Sequence, residues 1–214
     1  MVICLQKFFG FTGPVCIKMV EKNRLSFDPF GDFFVEGSPV PDDPDSRVDL
    51  RDLTMFQRTL LVTEGTLEKF LEAWMLEPIR IQNISQEESK ITKDLPLLEV
   101  AEGERVFKRQ VLLTGKYSGT PYVFAKSLFS PERIGQDLMT GLEKSELGLG
   151  RIIRENRIET YFQMIYYGKT KAGEVGKYFH IDKSEQLLFR KFRIFVAKKP
   201  AALITENFPI TLAT

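Results

Sequence analysis

Two stretches decide the fold: VFKRQVLLTGKYSGTPYVFAKSLFSP at residues 106–131 and LFRKFRIFVAKKPAALITENFP at residues 188–209. Each runs a basic strand, a tight connection, an apolar strand and a closing proline. The first predicts strands over 104–114 and 120–129 around a loop containing Ser118 and Gly119; the second predicts a hairpin over 186–208 turning at Lys198 and Lys199. Their likeness suggests two halves packed around a shared interior. Hairpins interspersed with helices, without a regular strand-helix alternation, indicate α+β with an antiparallel sheet.

The same two stretches carry charges where a core belongs. Period-two alternation puts Arg109 on the face of Phe107, Val111 and Leu113, and Glu206 on the face of Ala202, Ile204 and Phe208. An unpaired buried charge costs several kcal/mol, so these residues are either partners of each other or held for a ligand. A guanidinium offers a rigid fork for a carboxylate in a dry site. Glu206 could accept a hydrogen bond from a ligand hydroxyl or move a proton. Arg190 shares a face with Leu188, Phe192 and Ile194 and reads as a partly buried structural arginine. Lys126, alternating with Tyr122, Phe124 and Leu128, is either a second-shell charge for the pocket or a snorkelling surface lysine.

Outward from the hairpins, GSPVPDDPDSR at 37–47 has the composition of a turn-rich connector, which sets residues 1–50 apart as an arm or lid and 51–214 as the main domain. After it, LLVT reads as a short apolar run and Thr66 as the N-cap of a helix carrying Leu67, Phe70, Leu71 and Trp74, ended by Pro78. IRIQNISQEESK at 79–90 reads as a strand leaving the core, and Pro131 opens a helix running to about Leu142. LGLGRIIREN reads as a Gly-punctuated turn into a short helix, and 157–167 and 175–181 as strands.

Composition narrows the function. Thirty Lys and Arg against 29 Asp and Glu leave a net charge of +1, so no bulk field points to nucleic acid or an anionic membrane. The uncharged stretch Phe8–Ile17 is broken by Gly10, Gly13 and Pro14 and is half the roughly 20 residues of a membrane span. Cys4 and Cys16, without CxxC or a nearby His, suit reduced thiols in the cytoplasm better than a zinc site. His180, the single histidine, has no Ser or Cys nucleophile at motif spacing and reads as structural. Gly148 and Gly150 are too weak for a nucleotide loop, though amides at such a turn can hold an anion. The aromatic residues Phe8, Phe9, Phe11, Phe27, Phe30, Phe33 and Phe34 are expected to pack on the main domain or on a second subunit, giving a homodimer through the arm.

The ordered set LLVTEGTLEKFLEA (60–73), FKRQVLLTG (107–115), PYVFAKSLFSP (121–131), LGLGRII (147–153) and LITENFP (203–209) resembles chorismate lyase, in the branch found in cyanobacteria, plastid genomes, archaea and mycobacteria. The resemblance covers about residues 53–209. It implies a single antiparallel sheet of about six strands with flanking helices enclosing a buried ligand pocket. It also implies a cofactor-free enzyme turning chorismate into 4-hydroxybenzoate and pyruvate. By this likeness Arg109 binds the ring carboxylate, Glu206 contacts the 4-hydroxyl, and the main-chain N–H groups of Leu67 and Leu149 assist the carboxylate. Two positions depart from it: Lys126 stands where ubiquinone-pathway enzymes carry arginine, and Glu68 replaces a hydroxyl residue after the Gly-Thr-Leu turn. The competing class is a ligand-sensing module similar to the effector domain of GntR-type regulators. Residues 1–50 are short for the winged helix such a regulator needs.

Overall fold

Alternating side chains and tight turns produce six strands: β1 Ile79–Lys90, β2 Arg105–Gly115, β3 Pro121–Phe129, β4 Thr160–Lys171, β5 Gln186–Val196 and β6 Lys199–Pro209. In this computed structural model every neighbouring pair is antiparallel and the order is β1–β2–β3–β6–β5–β4. The sheet is thus two three-stranded meanders joined through their closing strands, β3 and β6. The likeness of the two hairpins has this architecture as its counterpart. Residues 30–31, 33–35, 46–144 and 147–212 are described. The chain divides into two units, Met1–Asp32 and Phe33–Thr214, and the sheet lies in the second. Most of the arm expected over 1–50, including both cysteines, lies outside the described residues. Phe34 does form a parallel bridge with Met164 on the β4 edge.

Helices cover one face of the sheet. These are α1 Met55–Val62, α2 Leu67–Met75, α3 Pro131–Ile134, α4 Gln136–Lys144 and α5 Leu149–Glu155. Phe107, Phe129, Leu138, Leu142, Ile152 and Phe192 build the main cluster between sheet and helices. Each of these buried side chains contributes about 1.5–3 kcal/mol. The far face is covered in two patches. Leu98, Val100, Val106, Ile165 and Leu203 form one; Leu112, Phe124, Phe179 and Leu187, under α6 Gly176–Phe179, form the other. Double coverage explains why β3 and β6 are buried along most of their length.

Several local expectations change. LLV of the apolar run is the end of helix α1, which starts in a capping box between Thr54 and Gln57. The helix expected over 131–142 breaks at Gly135, whose φ of 78° no helix accepts. Residues 175–181, expected as a strand, form a 3-10 turn and then α6, because Gly176 packs directly against the Ile181 carbonyl and His180 closes the turn at φ 58°. Among the described residues no helix is long and apolar enough to cross a membrane.

The β2–β3 connection is held by Glu77, which precedes β1. Its carboxylate accepts hydrogen bonds from the hydroxyls of Tyr122 (2.6 Å) and Ser118 (2.7 Å) and from the N–H groups of Tyr117 and Ser118 (both 3.0 Å). These donors, Tyr122 first, hold its pKa down at about 2, against an ordinary 4.5. A depressed carboxylate stabilises the fold above its unfolded pKa and loses that contribution as pH falls. Glu77→Gln is therefore expected to lower the unfolding temperature at pH 7, with the deficit vanishing between about pH 4.5 and 2. Thermal melts of both proteins across that range check it, and equal melting at pH 7 would contradict it.

Candidate active site

Three charged side chains stand on the helix-covered face. Arg109 is 4% exposed, Arg190 2% and Glu206 9%. The strand register decides who meets whom. Arg190 lies directly opposite Glu206 across β5 and β6, and Arg109 lies opposite Ser127 across β2 and β3. Arg190 Nε donates to Glu206 Oε2 at 2.6 Å, and its Nη1 donates to the carbonyls of Leu60 (2.5 Å) and Thr63 (2.6 Å). The guanidinium thus ties the end of α1 to the sheet and stacks over Phe192 at 5.3 Å. Arg190 is structural, as expected, and more deeply buried than expected. The ion-pair partner of Glu206 is Arg190, so the alternative of an Arg109–Glu206 pair gives way. Those two are two strands and two residues apart, roughly 12 Å between backbones at ordinary sheet spacings.

Between them lies a pocket of about 640 Å³, a volume that includes its opening to solvent. Val111, Leu113, Ala125, Ser127, Phe192 and Ile204 form its sheet side, and Arg109 and Glu206 also line it. The helix side comes from Gly65–Glu68, which lead into the first turn of α2, and from Gly148–Gly150 at the start of α5. Two glycines let these segments touch: a Cβ on Gly150 would stand 2.9 Å from the Gly65 carbonyl, and one on Gly148 2.7 Å from Glu68 Oε2. The Gly-punctuated reading of LGLG therefore has a packing cause. Arg109 reaches the same corner, its Nη2 donating to the Leu147 carbonyl at 3.4 Å. Burial pushes the pKa of Arg109 down from its usual value.

The sequence-expected site residues are placed as follows. Arg109, Leu67, Leu149 and Glu206 all line the pocket. The N–H of Leu67 donates to Gly65 O at 3.2 Å, a bond it must exchange to serve a ligand. For Lys126, read as either a pocket charge or a surface lysine, the structure takes the surface alternative and corrects the pocket one. Its neighbours Ala125 and Ser127 line the pocket, so the pleat sends Lys126 to the far face, where it is exposed over the Phe124 ring and borders a basic groove with Lys108 and Lys191. Lys126 does not line the pocket. His180 is exposed at the end of α6 and does not line the pocket. One pocket residue was read only as a departure from the family pattern: Glu68, whose Oε2 is buried with no hydrogen-bond partner. Helical spacing places it one step from the apolar Leu67 and Leu71 face, which gave no signal that it turns inward. Among the described residues no three His, Cys, Asp or Glu side chains cluster to hold a metal.

Fold and pocket together define a class: an α+β domain on one six-stranded antiparallel sheet, with a cavity that presents an arginine and a glutamate among apolar walls. Among solved structures, PhnF from Mycobacterium smegmatis overlays with a TM-score of 0.55 at 12% identity, covering 69% of this chain and 65% of that one. The possible transcriptional regulator YydK from Bacillus subtilis overlays with 0.50 at 8% identity, covering 64% and 60%. At such identities the likeness concerns the fold alone. Sequence comparison is more specific. The Rv2949c-like chorismate pyruvate-lyase family matches residues 61–214. The chorismate pyruvate-lyase of Mycobacterium leprae is 30% identical over 165 residues, 76% of this chain and 78% of that protein. That of Mycobacterium tuberculosis is 24% identical over 166 residues, 75% and 82%. This chain belongs to the Rv2949c-like chorismate pyruvate-lyase family, as the resemblance had indicated.

Removing one partner of a buried pair strands the other. Arg190→Met, which leaves Glu206 and two carbonyls without their donor, is expected to destabilise the fold by about 3–5 kcal/mol. Denaturant unfolding checks this, and a loss below about 1 kcal/mol would show that the pair is not a support of the fold.

Proposed function

We propose that this protein is a chorismate lyase that eliminates pyruvate from chorismate to give 4-hydroxybenzoate, with no cofactor. The observation that carries the reading is the placing of Arg109 and Glu206 apart in one largely apolar pocket of a chain in this family. A para-substituted aromatic acid has its carboxylate at one end and its hydroxyl at the other. Arg109 receives the ring carboxylate as a charge-assisted pair, with the amides of Leu67 and Leu149 beside it at the Gly148 corner. Glu206, held by Arg190 through Oε2, turns its remaining acceptor capacity to the hydroxyl.

The chemistry asks little of the protein. The C4–H and C3–O bonds break, a C3=C4 bond forms, the ring becomes aromatic, and the C4 proton passes to the enolpyruvyl methylene, which becomes the methyl of pyruvate. Holding the reactive conformer and excluding water suffice for such a retro-ene path. The walls Val111, Leu113, Phe192 and Ile204 supply the dry surface. Glu206 as a general base is the less favoured variant, since the direct transfer to the enolpyruvyl methylene needs no protein base.

Incubating the purified protein with chorismate should yield 4-hydroxybenzoate and pyruvate in equal amounts, and exhaustive chelation should leave turnover unchanged. Arg109→Gln should keep the fold and lower kcat/KM by about 100-fold, the loss of roughly 3 kcal/mol of charged hydrogen bonding. Tight 4-hydroxybenzoate binding with chorismate left intact would instead favour a sensing domain.

A further inference from the structure

Glu68 is a pocket residue with no assigned work. It follows Leu67 in the first turn of α2, and its Oε2 is shut off from water without a hydrogen-bond partner. A buried polar atom left in this state costs free energy unless a ligand satisfies it. Oε2 lies so close over Gly148 that a Cβ there would stand 2.7 Å from it and 2.8 Å from Ile81 Cδ1. Arg109 donates to Leu147 one residue earlier, and the Leu149 backbone follows one residue later. Glu68 therefore opens on the same corner as Arg109.

Building on the lyase reading, we infer that Glu68 is a positioning and specificity residue that seats the ligand carboxylate in its protonated form, so that binding takes up a proton. An ionised Glu68 would set a second negative charge against the incoming carboxylate in a site with little water. A neutral carboxyl instead offers an O–H donor where the orphaned oxygen stands, and the two groups share one proton. The surroundings favour the neutral form. Burial first, then the nearby Glu72, raises the pKa of Glu68, against the opposing charges of Arg151, Lys69 and Arg154. Lys69 and Glu72 belong to its own helix, Arg151 and Arg154 to α5, Ile81 on β1 is apolar, and Arg109 stands on β2.

The test is calorimetric titration of the full-length protein with 4-hydroxybenzoate and with benzoate at pH 6, 7 and 8, in buffers of low and high ionisation enthalpy. Proton uptake is expected to rise toward one per ligand with pH, and Kd to increase by up to about tenfold per pH unit above the pKa of free Glu68. Benzoate lacks the hydroxyl that faces Glu206, so equal uptake with both ligands assigns the proton to the carboxylate end. Glu68→Gln, which donates without titrating, should bind with no uptake, with a pH-independent Kd, and more tightly than the parent at pH 8. Glu68→Ser is the second variant should the first not fold, with the same loss of uptake expected. Binding without proton uptake in the parent, or uptake that persists in the variants, overturns the inference and leaves the lyase reading standing. No binding of either ligand, together with no chorismate turnover, overturns both.

Discussion

A carboxylate on the dry face of a sheet needs a cation, and much about this molecule follows from Arg190 supplying one to Glu206. The pair bridges β5 and β6, and the other arm of the guanidinium holds the carbonyls at the end of α1. One side chain thus links two strands, a helix end and a carboxylate of the pocket wall. The alternative of filling this volume with apolar side chains would often be as stable or more so. What the ion pair adds is an acceptor held in place on the pocket wall.

The two meanders carry this idea in duplicate. Each presents an arginine inward from its middle strand, Arg109 on β2 and Arg190 on β5. In one half the residue across the closing strand is Glu206; in the other it is Ser127. The half with the carboxylate across the strand satisfies its arginine within the protein. In the half with the serine the arginine reaches the Leu147 carbonyl and lines the pocket, where the Gly148–Gly150 and Gly65–Glu68 segments meet. The pocket has distinct ends because the residue across the closing strand differs between the two halves.

Strand parity made much of this legible in the sequence. Arg109, Arg190 and Glu206 fall on inward faces by alternation alone, and the ordered motifs pointed to the family before any coordinates. Pairing was not legible. Counting back from the Ala197–Lys198 turn would set Arg190 opposite Thr205, but a register shift between Ile194 and Phe195, beside Pro200, moves it opposite Glu206. A proline without an N–H suits such an irregularity, yet nothing local dictates that it occurs. Lys126 stayed open between pocket and surface for a related reason: alternation separates two faces without saying which one the helices will cover, and here both faces of β3 carry apolar residues. Glu68 was hidden because a helix periodicity argument weighs apolar residues, while its inward turn depends on the absence of side chains at Gly148, far along the chain.

The central claim is that one pocket holds the two ends of a hydroxylated aromatic acid at Arg109 and Glu206. A crystal structure of the protein soaked with 4-hydroxybenzoate tests it most directly. The account predicts the carboxylate against Arg109 at the Gly148 corner and the hydroxyl within hydrogen-bond distance of Glu206. A ligand seated in the basic groove of Lys108, Lys126 and Lys191, or bound in the pocket with its ends reversed, would contradict it.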